Sequence, residues 1–123
     1  MNEFKLIVAG GRDFTHAPML AKSIINLVEE MPEDIKVSIV SGMARGADRL
    51  GYEFAKKNAI TCYEFPADWD RYGKVAGYKR NEAMAEFSDG LIAFWRLKNP
   101  TPGTGHMIRT MEALGKPVHI VRY

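Results

Sequence analysis

Between Val37 and Asn58 a β-branched run, Val-Ser-Ile-Val, breaks at Ser41-Gly42 and restarts as an amphipathic helix whose apolar positions include Ala47, Leu50 and Phe54. A strand that hands directly to a helix through small residues leaves backbone N–H groups pointing one way, with the positive end of the helix dipole behind them. Such a junction is an anion seat. Arg45 stands at its mouth and Asp48 falls in the first helical turn, so the loop can hold a phosphate and reach a hydroxyl beside it. The same glycines equally suit a βα turn that only needs tight geometry.

The alternation recurs along the whole chain. Phe4–Ala9 reads as a buried strand stopped by Gly10-Gly11, and Leu20, Ile24, Leu27, Val28 and Met31 give helical spacing between Met19 and Met31. Val37–Val40 is the second strand and Arg45–Lys57 the second helix. A third strand, Ile60–Phe65, closes at Pro66. The polar and aromatic stretch from Ala67 to Ala76 reads as a loop, long for a βα connection and therefore a candidate to serve a site. A helix over Tyr78–Phe87, a strand over Gly90–Trp95 and a loop over Arg96–Thr104 follow. The last helix spans about Gly105–Leu114 before the C′ glycine Gly115, and Val118–Arg122 is the last strand. Five strands alternating with four helices predict an α/β fold: a single domain over residues 1–123 with a mainly parallel sheet covered on both faces. Right-handed crossovers make it doubly wound, with strand order 3-2-1-4-5.

Composition narrows the function classes. Hydrophobic content of 46% and charged content of 26% are ordinary for a globular chain. Seventeen Lys and Arg against 15 Asp and Glu leave a net charge of +2, too weak a bias for a protein that relies on counterion release, so nucleic acid is a disfavoured partner. Cys62 is the one cysteine, inside a strand pattern where a small buried hydrophobe is expected. The histidines His16, His106 and His119 show no ligand spacing, so no metal is expected. GxxxxGK[ST], GxGxxG and GxSxG motifs are absent, and no cofactor is expected either. The apolar run Leu6–Ala9 is too short for a signal peptide or a membrane span, and a cytoplasmic location with no membrane partner is the default expectation.

In the predicted order, ligands bind at the carboxyl ends of the strands where the order reverses. Four segments converge there: residues 10–14, 41–48, 67–81 and 96–106. They bring Arg12, Arg45, Arg80 and Arg96 to one rim with Gly10, Gly11, Ser41, Gly42, Gly46, Gly103 and Thr104, a combination suited to a phosphate on a polar organic body. Asp13, Asp48 and Asn81 can bond ribose hydroxyls, and Trp69, Tyr72 or Trp95 can stack on a base. Asp48, Glu82 and Glu112 are the carboxylates to weigh for catalysis, with Glu112 two turns into its helix and on a solvated face.

Taken in order, Gly10-Gly-Arg-Asp-Phe14, Ser41-Gly-Met-Ala-Arg-Gly-Ala-Asp48, Gly77-Tyr-Lys-Arg-Asn-Glu-Ala-Met84 and Gly103-Thr-Gly-His106 closely resemble the YspA-like branch of the SLOG superfamily, over nearly the whole chain. The resemblance implies a Rossmann-like fold. It also implies a nucleotide-derived ligand, since the superfamily includes the LOG enzymes, which release a base from a nucleoside monophosphate, DprA-type proteins that bind single-stranded DNA, and sensors found beside effector domains or in conflict systems of bacteria and phages. LOG-like relatives commonly self-associate, which raises a homo-oligomer as an expectation. Arg80 falls where the LOG enzymes carry a substrate-holding arginine, here Arg80-Asn-Glu-Ala-Met84. Their Pro-Gly-Gly-x-Gly-Thr-x-x-Glu loop is not matched: aligning Gly103-Thr104 with its Gly-Thr puts Met107 in place of the glutamate. The first expectation is therefore a nucleotide-binding sensor or sequestering module. The rival is a hydrolase of an N-glycosidic bond, with Arg80 orienting phosphate and Asp48 or Glu82 as its carboxylate, and single-stranded DNA binding ranks third.

Overall fold

The computed structural model describes residues 2–123 and contains one five-stranded sheet, all of it parallel, in the order β3-β2-β1-β4-β5. Its strands are β1 (Asn2–Gly10), β2 (Ile35–Ser41), β3 (Cys62–Glu64), β4 (Gly90–Trp95) and β5 (Val118–Arg122). The helices are α1 (Ala17–Glu29), α2 (Ala47–Lys57), α3 (Trp69–Tyr72), α4 (Ala76–Phe87) and α5 (Pro102–Ala113), with a single 3₁₀ turn at Gly73–Val75. This is the doubly wound, Rossmann-like α/β architecture, in the strand order that the alternation predicts.

The central strands are apolar on both faces because helices cover both. Successive side chains of a strand point to opposite sides, and the core divides accordingly. Leu6 and Val8 of β1, Ile39 of β2 and Ile92 and Phe94 of β4 pack with Leu20 and Ile24 of α1 and Ala47 and Ala55 of α2. Ile7, Ala9, Val40, Leu91 and Ala93 pack on the other face with Met84 of α4 and Met107, Ile108 and Met111 of α5. Ile7 lies opposite both Val40 and Leu91, so a one-residue slip of β1 would exchange the two cores.

Two stretches differ from the sequence expectation. The segment between Ala67 and Ala76 is not an open loop: Asp68 accepts the Arg71 N–H and starts α3, the 3₁₀ turn follows, and α4 begins two residues early, at Ala76. Short helices of one turn leave no periodic signal to read. The last helix begins at Pro102 rather than Gly105, because a proline at the first helical position gives up an N–H that has no partner there. That shift moves Gly103 and Thr104 from a loop into the first turn of α5.

Gly46 joins the fold to the site. It caps α2 at φ +90°, and a Cβ there would overlap the Gly11 carbonyl and the Arg12 backbone. Its role is therefore to let the loop after β1 lie against the start of α2, where the Ala47 N–H donates to the Gly11 carbonyl at 3.2 Å. Of the two uses that the sequence leaves open for the glycines of this junction, Gly46 serves the tight packing of two backbones. Gly46→Ala combines a strained φ with that overlap and should lower stability by at least about 2 kcal/mol in urea denaturation. An unchanged midpoint would show that the loop after β1 is free to move away.

Candidate functional site

A cleft of about 480 Å³ opens at the carboxyl ends of β1 and β4, between α4, the start of α5 and the loops after β1 and β2. It lies where the strand order reverses, between β1 and β4. Its floor is Ala9, Gly10, Met84 and Met107, and Arg12, Arg45, Lys74, Arg80 and Arg96 bring five cations to its walls. Two carboxylates face them, Asp13 and Asp48.

Asp48 is 6% exposed at the inner end of the cleft. Its carboxylate lies near the Arg80 guanidinium and the backbone N–H groups of Ala44 and Gly10, all of which favour the charge. Burial opposes them and wins, so the carboxyl is pushed up from 3.8 to about 6. Arg80 donates to the Gly42 carbonyl at 2.7 Å and to Asn81 Oδ1 at 3.0 Å. Asn81 Nδ2 in turn lies 3.2 Å from the Gly103 carbonyl and 3.2 Å from His106 Nδ1. A polar chain thus runs from the β2–α2 junction through α4 to the first turn of α5.

The rim glycines divide into two kinds. A Cβ on Gly10 would meet Phe94 and Ala47, one on Gly11 would meet Tyr123 and Asp13, and one on Gly42 would lie 2.6 Å from Arg80 Nη1 and 2.7 Å from Asp48 Oδ2. These positions are filled by the protein itself. A Cβ on Gly103 meets nothing within 4 Å, so there the backbone is open to an approaching group. Ser41 is also spent internally: its hydroxyl donates to the Asp48 carbonyl at 2.8 Å and accepts the Met43 N–H at 3.1 Å, holding Met43 at φ +60°.

The α2 junction is more crowded than its sequence suggests. The Ala47 N–H donates to the Gly11 carbonyl, the Arg49 N–H donates to the Ala44 carbonyl, and the Asp48 carboxylate sits beside the Ala44 and Gly10 N–H groups. The start of α5 is more open. No side chain caps it, Pro102 has no N–H, and the Gly105 N–H is taken by the Thr101 carbonyl, which leaves the Gly103 and Thr104 N–H groups of the first turn beside the cleft. Thr104 is held by a 2.9 Å hydroxyl contact with Thr101.

The remaining expected residues sort as follows. Arg12 and Arg45 are exposed on the wall, while Asp13 is tied to Arg96 at 3.1 Å and to the Tyr123 hydroxyl at 2.7 Å. Trp69 lines the cleft at 49% exposure, but Tyr72 and Trp95 do not line it, and the Trp95 indole instead donates to the Thr101 carbonyl. Glu82 and Glu112 are exposed and lie outside the cleft lining. Cys62 is half-buried, its thiol pushed up to about 11 by burial. Sequence reasoning missed Lys74, in the 3₁₀ turn, and Tyr78, in the first turn of α4, which both line the cleft; Tyr78 packs edge-on against His106 at 4.6 Å. Among the described residues no three His, Cys, Asp or Glu side chains gather as a metal centre would need, and no helix is long and apolar enough to cross a membrane.

The chain belongs to the YspA, cpYpsA-related SLOG family, whose family model matches residues 4–72, from β1 through α3. No curated protein and no solved structure matches it. The matched span carries the loops of Arg12, Arg45 and Asp48, while Arg80 and the start of α5 follow it. Family membership supports a nucleotide-related ligand, bound or processed.

The elevated carboxyl has a stability consequence. Asp48 titrates near 6 when folded and near 3.8 when unfolded, so the folded state holds the extra proton; the stability gained is full below about pH 3.8 and is lost as pH rises through about 6. Relative to Asp48→Asn, the wild-type protein should therefore lose up to about 3 kcal/mol between pH 4 and pH 7 in urea denaturation. Parallel stability curves for the two proteins would place Asp48 in a solvated setting.

Proposed function

We propose that this cleft binds a nucleotide or nucleotide-derived anion, with a phosphate at the first turn of α5 beside Arg80 and Arg45 and a base against Trp69 or Tyr78. The observation that carries the reading is the uncapped start of α5, with Gly103 open to solvent, set in a cleft of five cations and two carboxylates. A phosphate there gains charge-assisted hydrogen bonds from backbone and guanidinium together. The two exposed aromatics supply flat apolar surface in the cleft lining, and the cleft volume falls in the range of small-ligand pockets. The protein acts as a sensor or sequestering module for that ligand.

Turnover is the second reading, and one observation favours it: Asp48, a buried carboxyl titrating near 6 within the cleft, has the acidity that general acid–base work needs near neutral pH. Against it stands Met107, which is 1% exposed and packed in the core where LOG-type enzymes carry a glutamate. The other carboxylate of the cleft, Asp13, is tied to Arg96 and to the Tyr123 hydroxyl.

Calorimetry with nucleoside monophosphates tests the binding reading. Arg45 is exposed and its loss leaves the core intact, so Arg45→Ala should weaken binding by about 1.5–3 kcal/mol with an unchanged fold. No binding by any of the common monophosphates, or equal binding by the variant, would sink the model. Incubation with the same compounds should release no base at an ordinary enzymatic rate. Release that disappears in Asp48→Asn would move the assignment to a hydrolase.

A further inference from the structure

Arg12 and Arg45 line the cleft on one side and a second hollow on the other, a groove of about 440 Å³ along the start of α2. Arg49, in the first turn of α2, joins them there, with Thr15 at its edge and Phe14 and Leu50 beneath. No carboxylate lines this groove. The one ion pair among the described residues is Arg96 with Asp13, so Arg12, Arg45 and Arg49 line the groove without a salt-bridge partner, and Arg49 lies over the Tyr52 ring. An anion in the groove would meet arginines with no carboxylate competing for them.

The placement is enforced by the backbone. Gly46 holds Gly11 and Arg12 against the start of α2, which fixes Arg12 and Arg45 on the ridge between the two hollows. A ligand seated in the cleft therefore meets, across that ridge, a second cationic site with an apolar floor. The two hollows are of similar volume, and each is large enough for a nucleotide-sized group.

We propose that the ligand of this protein is a dinucleotide, with one nucleotide in the cleft and the phosphate-bearing second nucleotide in the groove of Arg12, Arg45 and Arg49. This inference rests on the proposed nucleotide-binding function and names the class of nucleotide. The linked ligand gains because the second half binds at the effective concentration set by its tether. Arg49 lines the groove and not the cleft, so it separates the two halves experimentally.

Calorimetry on the full chain, with AMP and GMP beside the linear dinucleotides pApA and pGpG, tests it. One dinucleotide should bind at least about tenfold more tightly than its mononucleotide and show a steeper loss of affinity with salt. Arg49→Ala should lower the dinucleotide affinity by about 10- to 100-fold and leave the mononucleotide affinity unchanged. Mononucleotides that bind as tightly as dinucleotides, or an Arg49→Ala effect equal for both, would overturn the dinucleotide assignment while leaving the cleft reading standing. Failure of all four compounds to bind would overturn both. A longer single strand such as a dA decamer that bound far more tightly than pApA would replace the dinucleotide with nucleic acid.

Discussion

The carboxylate of Asp48 is the point on which the geometry of the carboxyl edge depends. It lies beside the N–H groups of Gly10 at the end of β1 and of Ala44 in the loop before α2, and it faces Arg80 from α4. An ionised carboxylate this deep is tolerated only with such partners, since bare desolvation would cost several kcal/mol. A strand end, a loop and two helices from opposite faces of the sheet thereby meet at one place. Arg80 then extends the same constraint through Asn81 to the first turn of α5.

This internal anion also crowds the junction of β2 and α2. That junction has the composition of a phosphate loop, but its Ala47 N–H is taken by the Gly11 carbonyl, its Arg49 N–H by the Ala44 carbonyl, and the Asp48 carboxylate sits beside the Ala44 N–H. The uncapped turn at Gly103 and Thr104 keeps its N–H groups, and the cations of the cleft wall surround it. The first two glycine-rich loops build the frame, and the third presents the backbone.

Arg12 and Arg45 belong to two hollows at once, and this follows from the way α2 meets the end of β1 rather than from either side chain alone. The small residues at the α2 N-terminus permit backbones to touch there, and the arginines on either side are pushed outward onto a ridge. Their long apolar stems cover the junction while their charges stay in water. A ridge shared by two hollows arises as a by-product of close packing.

The alternation of β-branched runs with amphipathic segments determined the order of the sheet, because five strands joined by helical crossovers of one hand have few ways to stack their apolar faces. Leu6 and Val8 against Ile7 and Ala9 already named the two cores, and the convergence of Arg12, Arg45, Arg80 and Gly103 at one edge followed from that order. What the residues did not disclose was the use to which each loop is put. Gly46 and Gly103 read alike as flexible positions, yet one is filled by the Gly11 carbonyl and the other faces open space. Ser41 reads as a ligand contact and bonds its own backbone neighbours, while Asp48 lines the cleft beside Arg80. The one-turn helix α3 and the early start of α5, which place Lys74, Tyr78 and the free N–H groups, carry no periodic signal. Local sequence specifies which groups can bond; only the packed structure decides which of those bonds are already made.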